Sequence, residues 1–599
     1  MTVQKLKRRP LFVRENRTLN RLIFSENMAT LIGVLIAAVH TGFVSIFSTR
    51  HVELKWMVFL AVLWVSFSRL WRFFVYADRK GFMRLVQARL ILPLLWLTGM
   101  LVLWKLNAAD IQHDFSVAWS DLIISLIAAT GVLSYCRNLA ARTRNSAVLL
   151  IGSFAVVITI GTLLLKLPAC RPVTEAGVHQ AADWNVALFT ATSATCVTGL
   201  IVEPTGSYWS PLGHAVIFSL FQIGGFGILT FGAFMAVLSG RHELQLGEAD
   251  TLRDMLDSEN VNSVRRILLT IVTFTVFIEA IGAACLLGMS SERPWIGRLW
   301  DSVFHSVSAF CNAGFSLRDD GFLGMGTRWQ VWGPLSFLII LGGLGFPVIS
   351  DMSDRVLSRF RRRQIPLFHP RRRVPGLTVH SRLVLITTAV LLISGSVLWF
   401  TLETLSASSD ASIVKRMADA WFQSVTFRTA GFNSVDHGSM HPASKLLAIF
   451  LMFIGAAPGS TGGGVKTVVF AVTVLNVWSV IRGRDCVEVF GRRIPTSQVA
   501  RSLAMIAVGI GIVLMTTGLL VIFEQQPERF LDHLFEATSA FGTAGVSAGI
   551  TPTLSMPSRL LICGVMFLGR VGPITLLLAM ATSSETGRYQ YPEERVSLG

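Results

Sequence analysis

The chain has 599 residues, 52% of them hydrophobic and only 15% charged, with a formal net charge of +17. A water-soluble chain of this length would carry more charge and divide into several water-facing domains, which excludes the ordinary soluble classes. Nucleic-acid binding is excluded as well, because the Arg and Lys residues sit in the gaps between apolar runs, where positive charge fixes membrane orientation.

The N-terminus is basic (Lys5, Lys7, Arg8, Arg9, Arg14, Arg17, Arg21) and leads into an apolar run near 29–48. A secretory signal has a shorter apolar core and a small-residue cleavage site, so this run reads as a retained first transmembrane helix. Three more candidate helices follow near 55–75, 88–105 and 117–136. Four helices ahead of a pore suggest a voltage sensor, but the fourth has no Arg or Lys before Arg137, whereas a sensor needs regularly spaced Arg. An accessory bundle over residues 1–144 is the expectation.

Beyond it the chain repeats a unit: an apolar span, a shorter half-polar stretch, a glycine-containing loop and a second, glycine-rich span. The first spans fall near 147–166, 263–288, 381–403 and 500–523, and the second near 212–239, 331–350, 445–480 and 558–581. The total is about twelve transmembrane helices, each of roughly the length that crosses a bilayer. The expected fold is therefore an all-α polytopic membrane protein. Its repeats cover 145–240, 260–351, 379–482 and 498–582, with a tail at 583–599. Segment 351–382 carries nine Arg and segment 482–501 five, with further basic residues in 79–89 and 137–144. The positive-inside rule puts these segments and both termini in the cytoplasm and the glycine loops toward the outside. An even number of spans per unit makes all four repeats parallel, able to surround one axis; inverted repeats need an odd number.

The loop glycines measure the period: Gly199 to Gly314 is 115 residues, Gly314 to Gly431 is 117 and Gly431 to Gly545 is 114. Phe189, Phe304 and Phe535 precede their glycines by ten residues, and Phe422 by nine. An Asp stands three before the Phe in three units (Asp301, Asp419, Asp532), with Val186 in the first. Each stretch from Phe to Gly is too short to span, and non-helical backbone at membrane depth survives only where protein buries it or water reaches it. Four such loops around one axis meet that condition together. The C-terminal end of each half-helix carries about half a negative charge, and carbonyls of the extended segment can replace an ion's hydration shell. Glycine suits the turn because it reaches conformations that a Cβ forbids. Four glycines at a common period behind the same aromatic argue against simple helix packing.

The loops read Ala194-Thr-Cys-Val-Thr-Gly-Leu200, Ser308-Ala-Phe-Cys-Asn-Ala-Gly-Phe315, Phe427-Arg-Thr-Ala-Gly-Phe432 and Ser539-Ala-Phe-Gly-Thr-Ala-Gly-Val546. They resemble the four filter loops of the Trk/Ktr/HKT superfamily of K⁺ transporters, in its bacterial KtrB/TrkH membrane-subunit branch, over about residues 145–582. The resemblance implies four membrane–pore–membrane units and K⁺ uptake across the bacterial inner membrane, sometimes with Na⁺. It implies a homodimer in the bilayer, gated by a cytoplasmic KtrA/TrkA-type ring that holds the nucleotide, and no covalent cofactor on this chain. A Na⁺-selective or K⁺/Na⁺ co-transporting relative is the alternative; serine at the first filter glycine goes with Na⁺ preference, and here all four are Gly. The implied filter residues are Thr195, Cys196, Val197, Thr198 and Gly199; Cys311, Asn312, Ala313 and Gly314; Arg428, Thr429, Ala430 and Gly431; and Gly542, Thr543, Ala544 and Gly545.

The second span of the third unit is interrupted by Gly455-Ala-Ala-Pro-Gly-Ser-Thr-Gly-Gly-Gly464, which cannot hold a regular helix. It should break at mid-membrane and face the cavity. The family has its intramembrane gate loop here, which implies gate roles for Gly459, Ser460, Thr461, Gly462, Gly463, Gly464 and Lys466. It is no Walker A loop: Val465 separates the last glycine from Lys466, and no strand precedes it. Arg570, inside an apolar span, faces a partner or a water-filled path, and the resemblance makes it a barrier below the gate loop. Arg428 is expected to point off the axis and brace its loop, with Glu536 a candidate partner. Glu279 and Glu536 are open between ion sites and structural hydrogen bonds. The seven cysteines lie singly and give no disulfide or zinc spacing. No H-E-x-x-H or G-x-S-x-G motif is present, and His214 and His305 are isolated, so enzymatic chemistry is not expected.

Overall fold

The computed structural model describes residues 146–172, 180–227, 261–362, 377–406 and 412–572, with Met28 and some helical positions between 60 and 68. Apart from those positions, the four expected leading helices lie outside the described residues, as do the distal parts of the expected second spans of units one and four and the tail.

Four first spans are present: α1 (Ser146–Leu165), α4 (Val261–Leu286), α8 (Val379–Ser406) and α12 (Thr496–Glu524). Each is followed by a shorter helix: α2 (Trp184–Thr195), α5 (Trp295–Phe310), α9 (Ile413–Thr426) and α13 (Phe530–Gly542). The returning spans are α3 (Pro211–Phe226), α6 (Ser336–Leu344) with α7 (Phe346–Arg362), α10 (Pro442–Phe453) with α11 (Thr467–Ile481), and α14 (Met556–Val571). Their starts are legible locally. Ser210 accepts a hydrogen bond from the Gly213 amide at 3.3 Å with Pro211 following, and His441 accepts one from the Ala443 amide at 3.2 Å with Pro442 following. An acceptor before an N-terminal proline is a strong helix start.

Each short helix lies against the first span of its own unit and against the returning span of the unit before: α5 on α3, α9 on α6, α13 on α10, and α2 on α14. The last contact joins the end of the chain to its beginning and closes the circle. The peg in each short helix is the phenylalanine found in the sequence: Phe189, Phe304, Phe422 and Phe535 are all 0% exposed.

Two features depart from expectation. The apolar stretch 331–350 is not one straight span: a π turn at Val331–Leu335 leads into α6, and the axis then bends by 100° into α7. Gly345 sits at the bend with φ 85°, and a Cβ there would lie 2.6 Å from the Pro458 carbonyl oxygen. A side chain at that position would therefore be strained twice, by its dihedral and by its neighbour. In addition, the connection α11–α12 is not a plain loop but a hairpin, with β1 (Glu488–Val489) antiparallel to β2 (Arg492–Arg493). Among the described residues only α8 and α12 are unbroken helices long and apolar enough to cross a membrane, and the bent α6–α7 pair makes a third. Within the described residues, α3 ends at Gly227 (φ 76°) and α14 at Gly572 (φ 89°).

Candidate functional site

The four loop glycines have positive φ (Gly199 92°, Gly314 71°, Gly431 84°, Gly545 79°), and so do the residues two before them (Val197 57°, Asn312 58°, Thr429 70°, Thr543 49°). Alternate signs of φ keep a strand extended while turning successive carbonyls toward one side. The loops stand next to one another in a closed order. A Cβ on Gly199 would lie 2.6 Å from the Ala313 oxygen, one on Gly314 3.0 Å from that of Ala430, and one on Gly431 3.2 Å from that of Ala544. A Cβ on Gly545 would collide with the Thr198 oxygen. Each glycine thus faces the carbonyl preceding the next glycine, around a ring that returns to its start.

These carbonyls are left available by the way each strand is tied. The amides of Thr198, Ala313 and Ala544 donate to the carbonyls of Ser193, Ser308 and Ser539 at 2.7–2.8 Å. The Ala430 amide donates to the Thr426 carbonyl at 3.0 Å. The third loop is one residue tighter, which explains the offset of nine at Phe422. Hydroxyls at the same places add a clamp: Ser193 Oγ accepts from the Gly199 amide at 3.1 Å, Ser308 Oγ donates to the Phe315 carbonyl at 2.8 Å, and Thr426 Oγ1 donates to that of Phe432 at 2.6 Å. Their sign in the sequence is a hydroxyl residue five or six positions before each glycine: Ser193, Ser308, Thr426 and Ser539. The Thr198, Ala313, Ala430 and Ala544 carbonyls receive no hydrogen bond among the described residues, in a setting where all four residues are 0% exposed. Buried carbonyls without a donor are poised for another positive partner. The hydroxyls of Thr195 and Thr198 are likewise buried without a partner.

Positions three before the glycines turn away from the ring. Cys311 Sγ lies 3.2 Å from Gln222 Oε1 and 4.0 Å from Glu279 Oε1, while Gln222 Nε2 donates to Glu279 at 3.2 Å. Cys196 is fully buried, and Gly542 packs beside Met452 and Gly464. Arg428 donates to Thr467 Oγ1 at 3.2 Å, at the start of α11. The expected brace to Glu536 is thereby corrected. Glu536 instead accepts from Ser547 Oγ (2.5 Å), the Ala548 amide (3.1 Å) and Thr551 Oγ1 (3.0 Å), all in the segment after its own loop. A carboxylate already satisfied by three donors in the segment after its own loop has no need of a guanidinium. His214 and His305 are structural: the first meets the Thr205 carbonyl at 2.8 Å, and the second the Asp301 carbonyl at 2.8 Å and Ser316 Oγ at 3.0 Å.

Below the ring lies the interruption of the third returning span, residues 454–466. Its neck is closed by the Gly455 amide on the Val465 carbonyl (2.9 Å), the Thr467 amide on that of Ala456 (3.2 Å) and Thr467 Oγ1 on that of Gly455 (3.0 Å). The loop touches three of the four ring strands or the spans beneath them. The Gly463 amide donates to Thr543 Oγ1 at 2.9 Å, a Cβ on Gly462 would collide with Thr429 Oγ1, and one on Gly464 would lie 3.1 Å from Gly542 Cα. Asn312 and Thr429, at matching places in two strands, meet at 3.2 Å between amide and hydroxyl. The Ala457 and Thr461 amides donate to Gly343 and Gly342 of α6 at 3.0 and 3.3 Å, and the Phe346 amide donates to the Gly459 carbonyl at 3.0 Å. The bend at Gly345 thus exists partly to seat this loop. Gly342-Gly343-Leu344-Gly345-Phe346-Pro347 carried the signal, three glycines and a proline within six residues.

Besides Arg428 at the neck, Lys466 and Arg570 bring positive charge to this loop. Lys466 Nζ donates to the Gly462 carbonyl at 2.7 Å. The Arg570 guanidinium donates to the Thr461 carbonyl in the loop and to the Gly224 carbonyl on α3. It ties the interruption of unit three to units four and one.

The chain is similar to known proteins in sequence and in fold. The family model for the cation transport protein TrkH matches residues 115–590, a span that takes in the apolar run near 117–136. The potassium/sodium uptake protein NtpJ of Enterococcus hirae is 35% identical over 76% of this chain and 98% of its own length. The Ktr system potassium uptake protein B of Bacillus subtilis is 34% identical over 76% of this chain and 96% of its own. In fold, the potassium transporter TrkH of Vibrio parahaemolyticus aligns with a TM-score of 0.54 at 17% identity, covering 74% of this chain and 85% of that one. The ring of glycines, the loop seated beneath it and these matches place the chain in the TrkH family of cation transport proteins.

Proposed function

We propose that this chain is the ion-translocating subunit of a K⁺ uptake system, with the glycine ring as its selectivity filter and residues 459–464, Lys466 and Arg570 as its gate. The observation that carries the reading is the closed order of the ring, where each glycine meets the carbonyl before the next. Carbonyl oxygens from four strands can stand in for the water around a dehydrated alkali ion. Four half-helices ending at the ring add negative potential there. The repeats span 145–240, 260–351, 379–482 and 498–582, the termini and basic loops are cytoplasmic, and the loops open outward. The subunit works as a dimer under a cytoplasmic nucleotide-binding ring. The names of the relatives, potassium uptake protein B and potassium/sodium uptake protein, support the substrate.

The second of those names also favours a reading in which Na⁺ travels with or competes with K⁺. The test for both is flux in proteoliposomes with K⁺, Rb⁺, Na⁺ and Li⁺ compared. K⁺ and Rb⁺ should pass well ahead of Na⁺ and Li⁺. Equal rates for all four, or Na⁺ ahead of K⁺, would overturn the K⁺-filter assignment, and K⁺ flux that rises with Na⁺ would establish coupling.

A further inference from the structure

The hairpin between α11 and α12 is not used by the ion path. It is rigidly built: Glu488 pairs with Arg493 and Val489 with Arg492, and the Ile494 amide donates to the Val487 carbonyl at 2.9 Å. Val487, 4% exposed, packs with Val472 of α11 and Val499 of α12, and Ser479 Oγ donates to the Cys486 carbonyl at 2.8 Å. Its tip is Phe490-Gly491 with φ of 50° and 74°. Two successive positive φ values are the signature of a tight hairpin turn that favours Asn-Gly, and a bulky aromatic at the first is an outlier. The ring bought by that strain is 44% exposed.

Around it the charges are one-sided. Arg482, Arg484, Arg492, Arg493 and Arg501 are all exposed, against the acids Asp485 and Glu488, and none of the five forms an ion pair among the described residues. The Arg482 guanidinium lies 4.6 Å from the centre of the Trp478 ring, and that of Arg382, at the start of α8, lies 5.8 Å from Phe490. The apolar side of α11 runs unbroken into this patch, with Trp478 53% and Ile481 71% exposed. Aromatic rings at the level of lipid headgroups, with guanidinium groups beside them, are the composition of a membrane interface on the positively charged side.

The geometry points to an anionic phospholipid site on this hairpin, where the charges of Arg492 and Arg493, one on each face of β2, attract anionic headgroups and Phe490 sits at the interface. It rests on the membrane orientation given above, but not on ion selectivity. Continuity with the lipid-facing side of α11 favours a lipid over a soluble protein. The site stands at the far end of α11 from the interrupted loop, about 22 Å for its 15 residues, so its occupant would bear on the helix that leaves the gate.

The test is native mass spectrometry of the purified full chain, titrated with phosphatidylglycerol or phosphatidylcholine. Phosphatidylglycerol should be retained over phosphatidylcholine. The Arg492→Gln/Arg493→Gln variant should bind it roughly 25-fold more weakly, about fivefold per arginine removed. Arg492→Lys/Arg493→Lys should keep most of the binding, and inorganic phosphate should not displace the lipid. Unchanged phosphatidylglycerol retention in the Gln variant, with wild-type melting temperature, would overturn the site. So would equal retention of the two lipids, or displacement by inorganic phosphate. Loss of capture of a cytoplasmic protein with lipid retention unchanged would make the hairpin a protein interface instead. None of these readouts requires transport, so a failure here is distinct from a failure of the K⁺ assignment.

Discussion

Gly314 stands between two neighbours of the ring: a Cβ there would lie 2.9 Å from Gly431 Cα, 3.0 Å from the Ala430 oxygen and 3.2 Å from Gly199 Cα. No flexible side chain is available to yield, and the residue is held at φ 71°. Gly314→Ala should reduce K⁺ flux at least tenfold while leaving the chain folded, measured by rubidium uptake into proteoliposomes beside a melting curve. Ser308→Ala removes the bond that holds the Phe315 carbonyl, worth about 1 kcal/mol net. Its effect should appear as a loss of K⁺-over-Na⁺ discrimination before any loss of expression. Arg570 makes two hydrogen bonds to carbonyls of different units, each worth about 1.5–3 kcal/mol for a charged donor. Arg570→Ala should raise basal flux severalfold by freeing the loop and removing a positive charge from the path. Arg570→Lys should fall between, since one ammonium cannot reproduce the fork. Unchanged flux in a well-folded Ala variant would remove Arg570 from the gate.

At the level of elements, the interrupted spans share one cause. A helix that crosses the membrane without a break needs residues that satisfy their own backbone. Here α6 and α10 are interrupted, and the freed groups find partners in one another: the Ala457 and Thr461 amides on Gly343 and Gly342, and the Phe346 amide on Gly459. Gly345 makes this concrete, because the bend it permits brings the Phe346 amide to the Gly459 carbonyl. Gly345→Ala would press on the Pro458 oxygen and strain a positive φ, a cost of about 1–3 kcal/mol. It should loosen the loop, seen as faster basal rubidium efflux with a lowered melting temperature. The interruption of the third returning span was readable from Gly455–Gly464 alone. The bend between α6 and α7 has a local sign in the glycines and proline of 342–347, but its 100° angle is set by the loop it seats.

For the molecule as a whole, the ring is held by contacts between units. Lys445 at the start of α10 donates to Asp532 of α13 at 2.7 Å and to the Gly438 carbonyl at 3.0 Å, with its side chain 9% exposed. Asp532→Asn leaves the buried ammonium without its counter-charge. Removal of one partner of such a pair typically costs about 3 kcal/mol. The variant should melt several degrees lower in detergent, while the K⁺-over-Na⁺ preference of the folded fraction is retained. A changed preference would mean that the pair shapes the ring itself and not only the closure between units three and four.

The sequence by itself determined what depends on local composition. Apolar length marked the spans, the period of Gly199, Gly314, Gly431 and Gly545 marked the loops, and the density of Gly and Pro after Phe453 marked the interruption. These follow from what each segment's backbone and side chains require of their surroundings, whatever those turn out to be. Only the tertiary structure decided who meets whom: that Arg428 reaches Thr467 and not Glu536, that Arg570 holds two units together, and that α2 closes the circle against α14. A buried polar group takes the partner that packing brings within about 3 Å, and residues tens to hundreds of positions apart carry no local sign of that meeting.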